Sequence, residues 1–354
     1  MTETSAIAPS TVVPSTVVPS AVAGEPAAAS TTTVSAATAA RTGPVAPGRG
    51  RPLKVGIQLP EVEREVRWPE YLAMARRAEE LGFDSIWVGD HLLYRRSGDL
   101  EARGPWECWS ILAALAAATS RVELGPLVAS TSFHAPAMLA KKAATVDEIS
   151  GGRLILGLGA GWNETEYAAF GFPFDHRISR FEEAFTIIRT LLTEGAIDFQ
   201  GTYYTVRDCE LRPRGPRPGG PPILLGSNGE RMLAIGGPHI AAWNSWFLDI
   251  GNRPEGIAPL RAKVDRAARA AGRDPAQIAR TVAVLVRLSG GTGRQQGDYA
   301  QGDTRPVTGT SEELAQTLRA FAREGIGHVQ LVLDPITLGS LEEFAPVLEL
   351  LDRG

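Results

Sequence analysis

Short runs of apolar residues alternate with amphipathic stretches from Leu53 onward. The runs that predict strands are Lys54–Leu59, Ser85–Val88, Val122–Val128, Leu154–Leu158, Ile223–Leu225, Ile240–Trp243, Thr281–Leu288 and Val329–Leu333. The stretches that predict helices are Pro69–Leu81, Glu107–Thr119, Ala135–Ile149, Ser179–Thr193, Glu230–Ile235, Pro254–Ala271, Glu312–Arg323 and Leu341–Leu351. Because strands and helices that alternate in this number over about 300 residues are typical of a (β/α)₈ barrel, the pattern predicts an α/β fold of the TIM-barrel type.

The main alternative to a barrel is a doubly wound open sheet, which is also built from alternating strands and helices. The usual marker of that fold is Gly-x-Gly-x-x-Gly directly after the first strand, and it is absent after Leu59. Two stretches exceed the minimal repeat: residues 194–222, in which 198–204 are typical of a hairpin, and residues 289–307, which predict a loop. In a barrel both would be insertions at the C-terminal face, where active sites are built.

The first 51 residues differ from the rest of the chain. They consist mainly of Ala, Thr, Ser, Val and Pro, and residues 11–15 are repeated at once as residues 16–20. A segment of this composition cannot bury enough apolar area to offset the entropy lost on ordering, and it lacks the basic start of a signal peptide. We therefore expect a disordered tail over 1–51 and a single barrel domain over 52–354.

Composition and charge narrow the possible partners and compartments. The net charge is −4 and there is no basic stripe, so we expect no nucleic-acid partner. No apolar run approaches the roughly 20 residues needed to cross a bilayer. The chain has two cysteines, Cys108 and Cys209, which indicates a reducing compartment and therefore the cytoplasm. The five histidines do not recur at the spacing of metal ligands, so no metal site is expected.

The fourth predicted strand carries an unusual number of glycines. Gly157, Gly159 and Gly161 alternate with apolar residues before the chain enters a polar loop. Glycine weakens a strand, so it often marks a place where another group approaches the backbone closely. Amide groups around Gly159 and Gly161 can face an anion, although a bulge or tight turn explains the same pattern.

The ends of the other predicted strands supply further candidates. His91 follows the second strand, where a histidine can donate to a ligand or transfer a proton, whereas Asp90 is more typical of a turn or cap. Ser130 follows the third strand among small residues that can contact a planar ligand or cap a helix. Residues 226–229 (GSNG) lead from the fifth strand into a helix, a construction suited to phosphate. Trp162 lies at a predicted strand end and is suited to lining a pocket.

Several motifs together resemble one known family. Residues 81–91 (LGFDSIWVGDH), 140–153 (AKKAATVDEISGGR) and 156–162 (LGLGAGW) resemble conserved blocks of the bacterial luciferase-like monooxygenase superfamily. Shorter matches lie at 171–174, 180–183 and 199–204, so the resemblance covers roughly residues 53–335. The chain looks most similar to the branch that uses the deazaflavin coenzyme F420. This resemblance implies a TIM barrel that binds a flavin or deazaflavin at its C-terminal face.

The resemblance also implies roles for individual residues. A non-proline cis peptide is expected near Leu127–Val128, behind the cofactor ring. His91 would be the catalytic residue that meets the ring. The residues assigned to cofactor binding are Asp90, Val128, Ala129, Ser130, Gly159, Gly161, Trp162, Thr165, Gly226, Ser227, Asn228 and Gly229. Among these, Gly161 and Thr165 would hold the cofactor side chain, and the last four would take its phosphate.

One departure from the family pattern matters. Sugar-phosphate dehydrogenases of this family have a glutamate where the chain has Trp162 and a tryptophan where it has Arg95. The acid–base role of that glutamate and the cation-shielding role of that tryptophan therefore do not transfer to this chain. The resemblance implies hydride transfer between reduced F420 and a small organic substrate. An FMNH₂-dependent monooxygenase that uses O₂ is the first alternative, and a cofactor-binding protein without catalysis is the second. Family analogy also implies a homodimer.

Overall fold

A computed structural model of the chain describes residues 50–95, 102–294 and 304–354. The predicted tail up to residue 49 and the central part of the predicted loop 289–307 lie outside the described residues, so these two expectations stay predictions. Among the helices that the structure describes, none combines the length and the apolar content needed to cross a membrane.

Strands and helices alternate along the described chain. The strands are β1 (Lys54–Gln58), β2 (Ser85–Val88), β3 (Glu123–Pro126), β4 (Ala129–Ser130), β5 (Leu156–Gly159), β6 (Ala196–Gln200), β7 (Thr205–Glu210), β8 (Ile223–Gly226), β9 (Ala242–Ser245), β10 (Ala279–Arg287) and β11 (His328–Asp334). The helices are α1 (Trp68–Leu81), α2 (Cys108–Ala118), α3 (Pro136–Ile149), α4 (Glu164–Phe170), α5 (Arg177–Thr193), α6 (Glu230–Gly236), α7 (Ile257–Ala270), α8 (Ser311–Arg323) and α9 (Leu338–Asp352).

Nine parallel strands form one sheet in the order β3-β2-β1-β11-β10-β9-β8-β5-β4. The two ends of this order meet, because β4 pairs with β5 and Leu124 of β3 bridges Leu154 just before β5. Since β3 and β4 are two halves of one predicted strand, the sheet is a nearly closed eight-strand barrel. The TIM-barrel prediction is confirmed, and the doubly wound alternative is wrong because an open sheet would leave its edges apart.

The third strand differs from its prediction in a way that shapes the site. The Leu127–Val128 peptide is cis, and the strand predicted over 122–128 is divided there into β3 and β4. The cis peptide expected near this position is therefore confirmed. Hydrogen bonding resumes at Ala129, which pairs with Leu158, and at Ser130, which pairs with Gly159.

Two further differences concern helices. Helix α4 was not predicted, although Glu164 and Glu166 supply the acidic first turn that is typical of a helix start. The helix predicted over 254–271 begins as a short 3₁₀ turn at Pro254–Gly256 and becomes α-helical only at Ile257. The predicted hairpin is confirmed, since β6 and β7 pair antiparallel outside the barrel sheet.

Polar side chains fill part of the barrel interior. A Cβ atom on Gly56 would lie 2.0 Å from Ser85 Oγ, so this glycine makes room for its neighbour on β2. Trp87 Nε1 donates to Ser85 Oγ over 2.7 Å, and the same oxygen lies 2.7 Å from His328 Nε2. Ser85 Oγ thus joins the Trp87 indole and the His328 ring in one buried hydrogen-bonded chain. Burial, with a smaller effect of the Lys54 charge, lowers the pKa of His328 to about 3.

Candidate active site

His91 and Glu166 form a hydrogen-bonded pair at the C-terminal face of the barrel. His91 follows β2, and its Nδ1 lies 2.8 Å from Glu166 Oε1 on α4. The other carboxylate oxygen of Glu166 accepts from the backbone amides of Leu92 (2.8 Å) and Leu93 (3.3 Å). Because an ionised carboxylate only accepts, Nδ1 carries a proton and Nε2 is the ring nitrogen left for a ligand.

The surroundings of His91 favour its protonated form. Burial lowers its pKa, but the hydrogen bond to Glu166 raises it. The negative charges of Glu61, Glu166 and Asp90 add to that increase, so the pKa lies above its ordinary value. A histidine of this kind can serve as a proton donor near neutral pH. Sequence analysis singled out His91 but missed Glu166, for which no sequence signal pointed to a histidine 75 residues away.

Two aromatic rings flank the His91 imidazole. The Tyr94 ring centroid is 4.9 Å away, and the Trp162 ring centroid is 5.4 Å away in an edge-on arrangement. Tyr94 is buried, whereas 39% of Trp162 is exposed. The structure therefore brings Trp162, a sequence-predicted site residue, against His91 and leaves part of its surface open to a ligand.

Asp90 connects the end of β2 to the segment after the cis peptide. It is 3% exposed, and its Oδ2 accepts from the Ser130 backbone amide at 2.9 Å and from His134 Nε2 at 3.0 Å. Sequence analysis favoured a local turn or cap for Asp90. Its observed partners lie instead on the next strand and loop, so Asp90 fixes the position of Ser130.

The glycines of β5 and β8 make room for the side chain of Val128. A Cβ atom on Gly159 would lie 2.7 Å from Val128 Cγ2, and one on Gly226 would lie 2.9 Å from both Val128 methyl groups. Such distances are too short for real carbon atoms. The close approach predicted from the glycines of the fourth strand is therefore present at Gly159, where Val128 occupies the space that a side chain would need. Val128 remains half-buried, while Ala129 beside it is fully buried.

Gly161 adopts a conformation that suits glycine, with φ of +75°. A Cβ atom there would lie 1.9 Å from the Tyr167 hydroxyl and 2.5 Å from Ser130 Oγ. Tyr167 donates to the Ala160 carbonyl oxygen (2.9 Å), so Ser130 must donate to Tyr167 across their 2.6 Å contact. The Ser130 hydroxyl thus lies in the space that a side chain at position 161 would need. Thr165 lies apart from this contact, exposed in the first turn of α4.

The loop after β8 is held by one hydrogen bond within it and by three to residues at and after β9. Gly229 N donates to Ser227 Oγ over 3.3 Å, and Trp243 Nε1 donates to the Ser227 carbonyl over 2.9 Å. Asn228 Nδ2 donates to Asp249 Oδ2 over 2.8 Å and to Ser245 Oγ over 3.0 Å. The carboxylate of Asp249 therefore lies beside the segment assigned to phosphate, and that assignment stays a prediction.

A second charged cluster, missed by sequence analysis, lies at the same face. Arg294 follows β10, and it contacts Glu63 through Nε at 2.5 Å and Glu61 through Nη2 at 2.6 Å. Its guanidinium carbon is 5.3 Å from the centre of the Trp246 ring. The Arg294–Glu61 pair spans 233 residues, and only barrel closure brings these loops together.

Within the ranges that the structure describes, no three His, Cys, Asp or Glu side chains are arranged to hold a metal ion.

Comparison with known proteins is consistent with this architecture. The family model for luciferase-like monooxygenases matches residues 52–290. The F420-dependent glucose-6-phosphate dehydrogenase of Amycolatopsis mediterranei (strain U-32) is 36% identical over 200 residues, which are 52% of this chain and 58% of that protein. Pyrimidine monooxygenase RutA of Cronobacter sakazakii (strain ATCC BAA-894) is 35% identical over 173 residues, 48% of this chain and 50% of RutA. The chain thus spans about half the length of these curated relatives.

Solved structures share the fold at lower identity. An F420-dependent secondary alcohol dehydrogenase in complex with an F420-acetone adduct has a TM-score of 0.71 at 20% identity, covering 84% of this chain and 99% of that one. The monooxygenase RslO1 from Streptomyces bottropensis has a TM-score of 0.69 at 23% identity, covering 85% and 98%. With the family model matching well over half of its residues, the chain belongs to the luciferase-like monooxygenase family.

Proposed function

We propose that this chain is an oxidoreductase that uses coenzyme F420 and acts on a small organic substrate. When bound, the reduced deazaflavin would supply a hydride to an electron-poor C=C, C=N or C=O bond. The observation that carries the proposal is the His91–Glu166 pair, in which the carboxylate favours the protonated form of a histidine at the C-terminal face. The similarity to an F420-dependent dehydrogenase supports the choice of cofactor.

The residues at the C-terminal face fit a flat ring. Val128 presents methyl groups over strand positions that carry no side chain, Gly159 and Gly226. Trp162 adds a partly exposed aromatic surface next to His91. We assign Val128 and Ser130 to the ring and Gly161 to the cofactor side chain. Asp90 acts through Ser130 as a positioning residue, because its carboxylate binds the Ser130 amide and the His134 ring.

His91 supplies the proton in this scheme. As the substrate gains a hydride, negative charge develops on the atom next to the new C–H bond. Proton donation from His91 Nε2 to that atom neutralises the charge. Glu166 keeps the other ring nitrogen oriented, and its charge stabilises the protonated ring before the transfer.

An FMNH₂-dependent monooxygenase is the second candidate, and the similarity to RutA favours it. Titration of the full chain with F420 and with FMN, followed by absorbance and calorimetry, separates the two. We expect micromolar or tighter binding of F420 and weaker binding of FMN. The reverse order would favour the monooxygenase, and binding of neither cofactor would contradict both candidates.

The phosphate assignment has its own test. Gly226→Asp is a poor probe, because any Cβ there would meet Val128. We therefore choose Ser227→Asp, which adds a negative charge, with Ser227→Asn as its matched neutral control. Repulsion predicts at least tenfold weaker cofactor binding in Ser227→Asp than in Ser227→Asn. Equal affinities would place the phosphate elsewhere.

We further propose, by family analogy, that the chain acts as a homodimer in the cytoplasm and has no nucleic-acid partner. Analytical ultracentrifugation at micromolar concentration tests the dimer. A single species with the mass of one chain would contradict it.

A further inference from the structure

A cavity of about 330 Å³ lies beside the His91 site, between the loops that follow β1, β10 and β11. Its lining consists of Val62, Glu63, Arg64, Tyr94, Arg103, Thr292, Gly293, Arg294, Leu333, Asp334, Pro335, Ile336 and Thr337. Tyr94 connects the cavity to the site, because the centroid of its ring also lies 4.9 Å from the centroid of the His91 ring. The volume is at the lower end of what small-molecule sites occupy.

Two buried polar atoms in this lining lack a hydrogen-bond partner within the described chain. They are Nη1 of Arg294 and the hydroxyl of Tyr94. Arg294 is 3% exposed and Tyr94 is 2% exposed, so water does not reach them freely. Buried donors without an acceptor are uncommon because they are costly, and a ligand oxygen would satisfy them. Burial holds the pKa of Tyr94 well above its ordinary value, which keeps the phenol protonated and able to donate.

The charges around the cavity indicate which ligand oxygen fits. Arg294 already contacts the carboxylates of Glu61 and Glu63, and Arg64 contacts Glu70. Asp334 is paired with Arg287, and Arg103 lies exposed at the edge of the cavity. The four arginines named here are thus balanced by four carboxylates, so no excess charge attracts an ion. A second carboxylate at Arg294 would also be repelled by the two carboxylates already bound there.

We propose that this cavity is the substrate site and that Arg294 Nη1 and the Tyr94 hydroxyl bind the carbonyl oxygen of a small uncharged compound. The inference rests on the proposed function, since it names the substrate class of the same oxidoreductase. Two donors match the two lone pairs of a carbonyl oxygen. Polarisation by Arg294 would also make a double bond adjacent to the bound carbonyl a better hydride acceptor, and the proton from His91 would then go to the neighbouring carbon of that bond.

Binding to the full chain without cofactor tests the assignment. The probes are cyclohexanone, 2-piperidone and, as an anion of similar size, cyclohexanecarboxylate, with affinities measured by saturation-transfer NMR. We expect at least one neutral carbonyl probe to bind tenfold more tightly than the carboxylate. Tighter binding of the carboxylate, or no binding of either neutral probe, would overturn the proposal.

Conservative variants locate the binding. Tyr94→Phe removes only the hydroxyl, and Arg294→Lys keeps the charge facing Glu61 and Glu63 but loses Nη1. Each should weaken binding of the neutral probe at least fivefold, whereas Tyr203→Phe on the hairpin loop should not change it. Thermal melting verifies that each variant is folded. Unchanged affinity in folded Tyr94→Phe would refute the proposed contact.

Cofactor titration in parallel separates this inference from the proposed function. If F420 and FMN fail to bind while the carbonyl probes behave as expected, the proposed function is wrong and the neutral-carbonyl site stands. If the cofactor binds normally and Tyr94→Phe leaves probe affinity unchanged, only the cavity assignment falls.

Discussion

At the residue scale, His91 is the position on which the proposed chemistry depends most directly. Replacing it by alanine removes the proposed proton donor, so we expect His91→Ala to lower turnover at least tenfold, about 1.4 kcal/mol of activation free energy. Steady-state kinetics with the cofactor that binds measures this effect. The exposed His176 provides the control, since His176→Ala should retain full turnover. Full turnover in His91→Ala would remove the assigned role.

Glu166 allows a sharper test, because it acts through His91. The raised pKa of His91 keeps the donor protonated, so activity should be lost as pH rises through that pKa. Glu166→Gln keeps the shape of the side chain but removes the charge, which lowers the pKa of His91. The alkaline limb of the kcat/KM profile should therefore move to lower pH. A limb that does not move would mean that His91 is not the titrating donor.

The glycines permit a test of packing at the same scale. Gly159→Ala places a methyl group against Val128, and we expect a loss of about 1–3 kcal/mol in the free energy of unfolding. The second change Val128→Ala should recover most of this loss, which a double-mutant cycle by urea denaturation measures. Gly339→Ala, where the nearest atom is 3.8 Å away, is the control. Additive losses would show that Val128 is not the group for which Gly159 makes room.

Some site residues could be predicted from the sequence and others could not, depending on whether their contacts are local or join distant parts of the chain. His91 and the glycines stand in local motifs at strand ends, so their position was visible. Glu166, Glu61 and Arg294 act through partners on other βα loops, and local patterns do not show which loops meet. The purpose of Gly159 was also hidden, because the residue that fills its space, Val128, lies on another strand.

At the element scale, the strands and most helices were visible because their apolar periodicity is local. The exceptions have local physical causes. The third strand is divided at Leu127–Val128, which apolar periodicity does not register. Helix α4 has only seven residues, too few for a clear helical period, although its acidic first turn is a signal that could have found it.

Helix α8 shows how one residue can define an element boundary. Thr310 Oγ1 accepts from the Glu313 amide at 3.3 Å, and Glu313 Oε2 accepts from the Thr310 amide at 2.8 Å. This reciprocal pair satisfies two amides at the helix start. We expect Thr310→Ala to cost about 1 kcal/mol in the free energy of unfolding, measured by urea denaturation. Thr317→Ala, at a half-buried position within the same helix, should cost clearly less; equal costs would argue against the cap.

At the scale of the whole molecule, barrel closure joins residues that are far apart in the chain. Alternating strands and helices predicted the barrel, and closure follows from the pairing of the β3 and β4 halves with β5 and its flank. The same closure places His328 of β11 beside Ser85 of β2, 243 residues away, inside the barrel. No sequence pattern marked His328 as buried and neutral, because its partner is on another strand.

The buried neutral state of His328 predicts how stability of the whole barrel depends on pH. Its pKa is about 3 in the folded chain and 6.5 when exposed, so below pH 6.5 the unfolded state binds a proton that the folded state does not. Stability should therefore fall as pH decreases from 6.5 towards 3, by up to about 1.4 kcal/mol per pH unit from this group. Urea denaturation between pH 7 and 4.5 measures the slope in the wild type and in His328→Asn.

The decisive quantity is the difference in slope, because buried carboxyl groups also titrate in this range. Asp84, Glu123 and Asp147 have raised pKa values, so they favour the folded state as pH falls and oppose the effect of His328. They are present in both proteins, so their contributions cancel in the comparison. His328→Asn should lose stability at pH 7, where the Ser85 contact is missing, yet show the smaller further loss at pH 4.5. Parallel slopes in the two proteins would mean that His328 takes up its proton without unfolding, and the barrel interior would then have to admit a charge that its present packing excludes.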